Sequence, residues 1–363
     1  MYLITIRVVK TSKKPSLDQL GKTPSDKGPN ELRIGKVTRK GSKFELELLT
    51  DELSKAEAGK LSKTHSLDLD LSKTHYAGLK VACEIMRKAR NQGKDILLYC
   101  HGYNNDVEDV VKTGYELAQR YSVVPIVFTW PANGGGAISG TTAYLSDKRD
   151  ARASTDALSR VFERIQSYHK LLTEKRRDAL WDKAAKKYEL DGDACRSYFS
   201  KLLDQECKTT VNFVAHSMGG YLTKHAVLPS ASEARKLVFD NIALVGADAN
   251  NEHHSRWVEL LQPRKRLYVV INENDYALKW ARRKPGEEQL ARLGHSLKSL
   301  NAPNAHYIDV TKAKAVLSEH SYFVGKAVKN NPKLLKLFGD IFTGKSVEGR
   351  LDYRADINAY RLK

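Results

Sequence analysis

Apolar and polar positions along this chain change rhythm near residue 76. Before it, short apolar runs dominate: Leu3 to Val9 predicts one strand, and Leu32 to Val37 with Phe44 to Leu49 predicts a hairpin turning across Arg39 to Ser42. The Pro-, Gly- and Lys-rich stretch from Lys13 to Asn30 reads as a mobile loop. From residue 76 onward, helix and strand signals alternate. Tyr76 to Gln92 has helical spacing, Asp95 to Cys100 reads as a buried strand, Val107 to Arg120 as a helix, and Val123 to Trp130 as a strand followed by a glycine-rich loop at Gly134 to Gly136. A long, highly charged helical region fills Ser146 to Cys207, and strand signals return at Thr210 to Ala215, Ile242 to Val245, Leu267 to Ile271 and Tyr307 to Val310.

Such alternation predicts an α/β fold with a mainly parallel central sheet, helices on both faces, and ligands at the carboxyl ends of the strands. Residues 1–75 form a strand-rich segment expected to complete that sheet. Residues 76–345 form the main domain, with a charged helical insertion at about 167–207 before the strand at Thr210, and 346–363 form a tail. The pentapeptide Leu-Ser-Lys-Thr-His occurs at 61–65 and again at 71–75, too few copies for a stacked repeat, and carries no functional reading.

Chemistry concentrates at Thr209 to Val227, TTVNFVAHSMGGYLTKHAV, which reads as a buried strand, a sharp turn at Ser217 and a helix. That is the pattern of a nucleophile elbow, where a serine is held on a strained turn within reach of a base and of backbone amides. Strand and helix pass close together at such a turn, so the residues two before and two after the serine must be small. Ala215 and Gly219 meet that demand.

A serine nucleophile needs an imidazole to take its proton and a carboxylate to orient the imidazole, and in hydrolases built on this elbow they follow in the order Ser, acid, His. Asp275 lies just past the Leu267 to Ile271 strand, and His320 lies ten residues past the Tyr307 to Val310 strand. Asp248, which also follows a strand, is the alternative acid; capping a helix or turn is the competing role for either aspartate. His306 begins a strand, His295 lies in a polar loop, and His253 and His254 read as surface residues, so none displaces His320. For the oxyanion, Met218 supplies one backbone N–H, and Tyr103, in the loop after the Asp95 to Cys100 strand, supplies the second. His101 precedes the nucleophile and is expected to hydrogen-bond within its own loop.

Several segments together resemble a known family, the α/β-hydrolases of unknown function called DUF900. They are HGYNNDVEDV at 101–110, FTWPANG at 128–134, the Tyr144 to Ser154 stretch with Asp147, AHSMGG at 215–220, NDYAL at 274–278 and HSYF at 320–323. The resemblance implies an α/β-hydrolase fold and a triad of Ser217, Asp275 and His320, with Tyr103 and Met218 at the oxyanion hole. Ser167 to Cys207 is longer and more charged than the family's usual connection, and Gly-Ala-Asp-Ala-Asn at 246–250 replaces a segment that contains more proline in the family.

Composition narrows the partners. Lys+Arg 61 against Asp+Glu 43 gives a net charge of +18, which favours anionic partners. The positive residues are dispersed in short groups such as Arg264-Lys265-Arg266, without an RNA-binding aromatic signature, zinc-finger spacing or long basic tail, so nucleic acid is not the expected partner. No apolar run is long enough to span a bilayer, which leaves peripheral contact with an anionic membrane. MYLITIRVVK lacks the long apolar core and cleavage site of a signal peptide. The four cysteines, Cys83, Cys100, Cys195 and Cys207, form no C-x-x-C pair, which suits a reducing cytoplasmic setting.

The expected activity is hydrolysis of an ester-type acyl bond in a small-molecule or lipid substrate, with no metal or organic cofactor. Thioesterase, amidase or acyltransferase chemistry would use the same residues. A binding scaffold that keeps the fold without catalysis is the rival from another class. The charged insertion is a candidate lid or partner surface, or else a solvated helical excursion.

Overall fold

In the computed structural model, which describes residues 1–10, 14–28, 31–132, 140–188, 192–206, 209–229, 237–283 and 290–362, the chain is organised by one large sheet. The glycine-rich loop at Gly134 to Gly136 and Cys207 lie outside the described residues.

The single strand expected from Leu3 to Val9 is two, β1 (Tyr2–Thr5) and β2 (Arg7–Val9), in different sheets. The break has a local cause. Arg7 is buried, and its guanidinium donates to Thr129 Oγ1 and to the carbonyls of Gly21, Trp130 and Ala132, while its N–H donates to Thr5 Oγ1. The expected loop at Lys13 to Asn30 contains β3 (Leu20–Pro24), antiparallel to β2. Its Lys and Pro content suits an edge strand and hides it from a propensity reading. The hairpin follows as β4 (Arg33–Lys40) and β5 (Lys43–Leu48).

Helix α1 (Lys55–His65) starts at a capping box formed by Ser54 and Glu57. The first Leu-Ser-Lys-Thr-His copy closes this helix and the second forms a turn, so the repeat is not structural. Then come α2 (Ala77–Gln92), β6 (Asp95–Cys100), α3 (Val107–Arg120) and β7 (Val123–Thr129). The charged region resolves into α4 (Gly140–Ala153), the 34-residue α5 (Thr155–Tyr188) and α6 (Gly192–Glu206). The far half of α5 packs on α6 around its own small core of Leu180, Ala184, Cys195 and Leu202. Next are β8 (Val211–His216), α7 (Met218–Val227), β9 (Asn241–Val245), α8 (Ser255–Val258), β10 (Arg266–Ile271), α9 (Tyr276–Ala281) and β11 (Ala305–Asp309). The chain closes with α10 (Gly325–Lys329), α11 (Pro332–Phe342) and a hairpin of β12 (Asp352–Arg354) and β13 (Ala359–Arg361).

Among the described residues the main sheet has 11 strands in the order β12-β13-β11-β10-β9-β8-β6-β7-β1-β4-β5. All neighbouring pairs from β1 across to β11 are parallel, and β13 joins β11 in the same sense; β12, β4 and β5 are antiparallel to their neighbours. The central strands β7 to β9 are buried along their whole length, as strands covered on both faces must be. One face carries α2, α5 and α7 over a core that includes Phe128, Phe162, Phe213 and Trp257. The other carries α3 and α11 over Tyr99, Tyr121, Phe323 and Phe338. From β6 the chain moves outward to β7, then returns to the opposite side as β8, so a crevice opens between the carboxyl ends of β6 and β8.

Candidate active site

Ser217 occupies that crevice. It links β8 to α7 with φ 55° and ψ −123°, a strained conformation for a residue with a side chain. The backbone around it fixes the turn: Ser217 N–H donates to the Val245 carbonyl at 3.0 Å, and the Ser217 carbonyl accepts from Asp248 at 2.9 Å and from Gly220 at 2.9 Å. Close approach explains the small residues. A Cβ on Gly219 would lie 2.7 Å from the Cys100 carbonyl oxygen and 2.8 Å from that of His101, and a Cβ on Gly102 would lie 2.5 Å from Ser217 Cβ. The loop after β6 therefore packs directly against the serine side chain.

Met218 opens α7, where a helix leaves its first N–H groups without intrahelical acceptors. Tyr103 follows Gly102 on the facing loop. Its carbonyl accepts from Asn105 Nδ2 at 2.7 Å, its ring packs on Tyr144, and the next residue, Asn104, donates its N–H to buried Asp147. Helix α4 thus buttresses this loop through Tyr144 and Asp147.

Asp275 and His320 meet beyond the ends of β10 and β11. His320 Nδ1 lies 2.6 Å from Asp275 Oδ2, while Asp275 Oδ1 accepts from the Leu278 N–H at 3.0 Å. The aspartate is fully buried and the imidazole about 22% exposed. Capping and orienting, the two competing readings of Asp275, are both present in one carboxylate. Gly246 approaches this pair: a Cβ there would sit 3.5 Å from Asp275 Oδ2 and 3.6 Å from His320 Cε1. Ser217 Oγ, on a residue only 4% exposed, hydrogen-bonds no described residue. His320 is held through Nδ1, and no hydrogen bond joins its ring to Ser217 among the described residues.

Asp248 is engaged elsewhere. It accepts from Tyr144 Oη at 2.9 Å and pairs with Arg292 Nε at 3.1 Å, both residues being buried. His101 stacks on Trp130, accepts the Trp130 N–H at Nε2 and so donates from Nδ1 to the Gly102 carbonyl. Burial and the nearby Arg7 charge push its pKa down to about 3, so it stands neutral as a brace for the loop. The expectation of a surface His254 is corrected: it is buried, bonded to the Asn251 carbonyl and to Tyr307 Oη. His253 is exposed, His306 lies in β11 between the rings of Tyr268 and Tyr360, and His295 sits in a 3-10 turn with no hydrogen bond to Asp275.

Sequence reasoning missed three supports. His216, one residue before the serine, packs its ring against that of His320, centroids 4.5 Å apart and tilted at 46°, and bonds the His320 carbonyl through Nε2 at 3.2 Å; burial holds its pKa well below the usual histidine value. Asn272, at the end of β10, donates through Nδ2 to the carbonyls of Leu317 and Glu319, fastening the loop that carries His320. Tyr322 Oη donates to the Val270 carbonyl at 3.0 Å and anchors the other side of that loop. Only the asparagine left a readable sign, as a polar residue directly after an apolar strand.

A model of the family described as "Alpha/beta hydrolase of unknown function (DUF900)" matches residues 80–173 and 177–330. The chain belongs to this DUF900 family. Its fold is the α/β-hydrolase fold, and the matched span contains Ser217, Asp275 and His320. No curated protein and no solved structure matches the chain. In this DUF900 member no cluster of three or more His, Cys, Asp or Glu could hold a metal ion among the described residues. No helix among them is long and apolar enough to cross a membrane. A cavity of about 410 Å³ lies between the sheet and helices α2 and α5, lined by residues such as Ile34, Ile85, Leu98 and Tyr168, none of which belongs to the Ser217 site.

Proposed function

We propose that the protein is a serine hydrolase that cleaves an ester-type acyl bond. The observation that carries this reading is the His320–Asp275 contact at 2.6 Å on the same side of the sheet as the strained Ser217 turn. Ser217 Oγ attacks the substrate carbonyl as its proton passes to His320 Nε2. The tetrahedral oxyanion is taken by the N–H groups of Met218 and Tyr103, which a helix start and a braced loop pre-organise. His320 then protonates the leaving group, and water activated by the same imidazole releases the acyl group from Ser217. Asp275 holds the tautomer and stabilises the imidazolium formed at each stage.

Ester, thioester and amide substrates pass through the same intermediate, so assay across the three leaving groups decides the subclass. Ser217→Ala is expected to lower kcat by about 10⁴- to 10⁶-fold with an unchanged circular-dichroism spectrum. Turnover close to wild type in that variant would refute the assignment. A cytoplasmic setting is part of this reading, supported by Cys83, Cys100 and Cys195, which are buried and unpaired.

A further inference from the structure

The two segments that carry Asp275 and His320 also carry an unusual apolar surface. Among the described residues, Leu317 is 70% exposed, Tyr276 61% and Trp280 46%, which makes them three of the four most exposed large hydrophobic side chains. Single exposed apolar residues need no explanation, but a contiguous group does. These are contiguous: the Tyr276 and Trp280 rings lie 6.0 Å apart on α9, and the Tyr276 N–H donates to the Ser318 carbonyl, next to Leu317. Leu317 is held outward with φ 47°, an unfavourable conformation for a bulky residue, while Asn272 binds its carbonyl.

Cations flank these residues along the chain. Lys279, Arg283, Lys312 and Lys314 are exposed and Arg282 is half-buried, and none of them forms an ion pair with a described residue. The Arg283 guanidinium lies over the Trp280 ring at 5.4 Å, which keeps its charge level with the indole. Against these, among the described residues, stand Glu273 and Glu319, since Asp275 is bound to His320. Aromatic rings with flanking Lys and Arg fit the headgroup level of a bilayer, and juxtaposed cations draw the surface to anionic lipid.

We propose that Tyr276, Trp280 and Leu317, with their basic rim, dock on an anionic phospholipid bilayer and bring the adjoining Ser217–His320 site to acyl lipids held in that bilayer. The substrate part of this inference rests on the serine-hydrolase reading; the docking part does not. The overall charge of +18 points the same way.

The test is vesicle flotation of the full chain and of Ser217→Ala, using phosphatidylcholine vesicles with and without phosphatidylglycerol. Both proteins are expected to float with the anionic vesicles, more weakly as salt rises. Trp280→Asp should lower the partition coefficient by about tenfold while leaving hydrolysis of a soluble short-chain ester within about twofold. Lys279→Glu with Arg283→Glu should flatten the salt dependence. Failure of the wild type to bind, or unchanged binding by the Trp280→Asp variant, would overturn the proposal. So would patch-dependent self-association in sedimentation velocity without vesicle binding, which would assign the surface to a second copy of the chain. Binding by both proteins without soluble-ester turnover in the wild type would remove the hydrolase reading and keep the docking surface.

Discussion

His320 and Leu278 share the carboxylate of Asp275, one oxygen each, at 2.6 and 3.0 Å. Rotation of that side chain would break the cap of α9 and release the imidazole together. The acid is thereby held by the fold itself, at the end of a strand and the start of a helix.

Asp275→Asn should keep the cap, because an amide oxygen still accepts from Leu278, while the imidazole loses its anionic partner. We expect kcat to fall by about 10⁴-fold with little change in melting temperature. Asp248→Asn should do the reverse. Buried Arg292 would lose the Asp248 charge, at a cost of up to about 3 kcal/mol in stability, with kcat within about tenfold of wild type. Paired kinetics and urea unfolding of the two variants check both statements.

Asn272→Ala removes the two bonds to the Leu317 and Glu319 carbonyls and the Oδ1 acceptor of the Asn274 N–H, without touching the imidazole. Loosening the His320 loop should lower kcat by about tenfold to 10²-fold and leave KM near its original value. Steady-state kinetics on a soluble ester make the measurement, and an unchanged kcat would remove Asn272 from the positioning role.

Gly219→Ala places a Cβ against two carbonyl oxygens at the end of β6, both backbone and neither free to move. Stability should fall by about 1–3 kcal/mol, read from denaturant unfolding, with activity reduced as the turn shifts.

The neutral histidines His101 and His216 make stability depend on pH. Their folded pKa values lie below the unfolded value near 6.5, that of His101 at about 3, so between these limits the unfolded chain binds more protons. Their stabilisation is present in full above the unfolded pKa and is lost as pH falls from about 6.5 towards the folded value. His101→Gln should flatten the fall in unfolding free energy across that window by up to about 1.4 kcal/mol per pH unit. An unaltered slope would mean that the imidazole is charged in the folded protein.

Much of this architecture is legible in the sequence for a simple reason. Buried parallel strands such as Asp95–Cys100 and Arg266–Ile271 are short apolar runs between turn signals, and parallel topology then sets which loops converge. Residues whose roles depend on distant contacts were not legible. Arg7 reads as a strand residue until its acceptors from Gly21 to Ala132 are known, and His254 reads as surface until Tyr307 stands beside it. His216 is one unconstrained position of the elbow pattern, and only the fold brings its ring onto His320. The hairpin Asp352–Arg354 with Ala359–Arg361 is too short and polar to register without its neighbour β11. Helix α1 does not stand out in the apolar pattern of a segment read as strand-rich, and its one local sign is the Ser-x-x-Glu of Ser54 and Glu57 that forms its capping box.

Intact-mass labelling with a fluorophosphonate probe, comparing wild type with Ser217→Ala and mapping the modified peptide, tests the central claim most directly. The account predicts a single adduct on Ser217, absent from the variant and slowed in Asp275→Asn. A well-folded wild-type protein that takes no adduct, or takes it at another residue, would contradict the account.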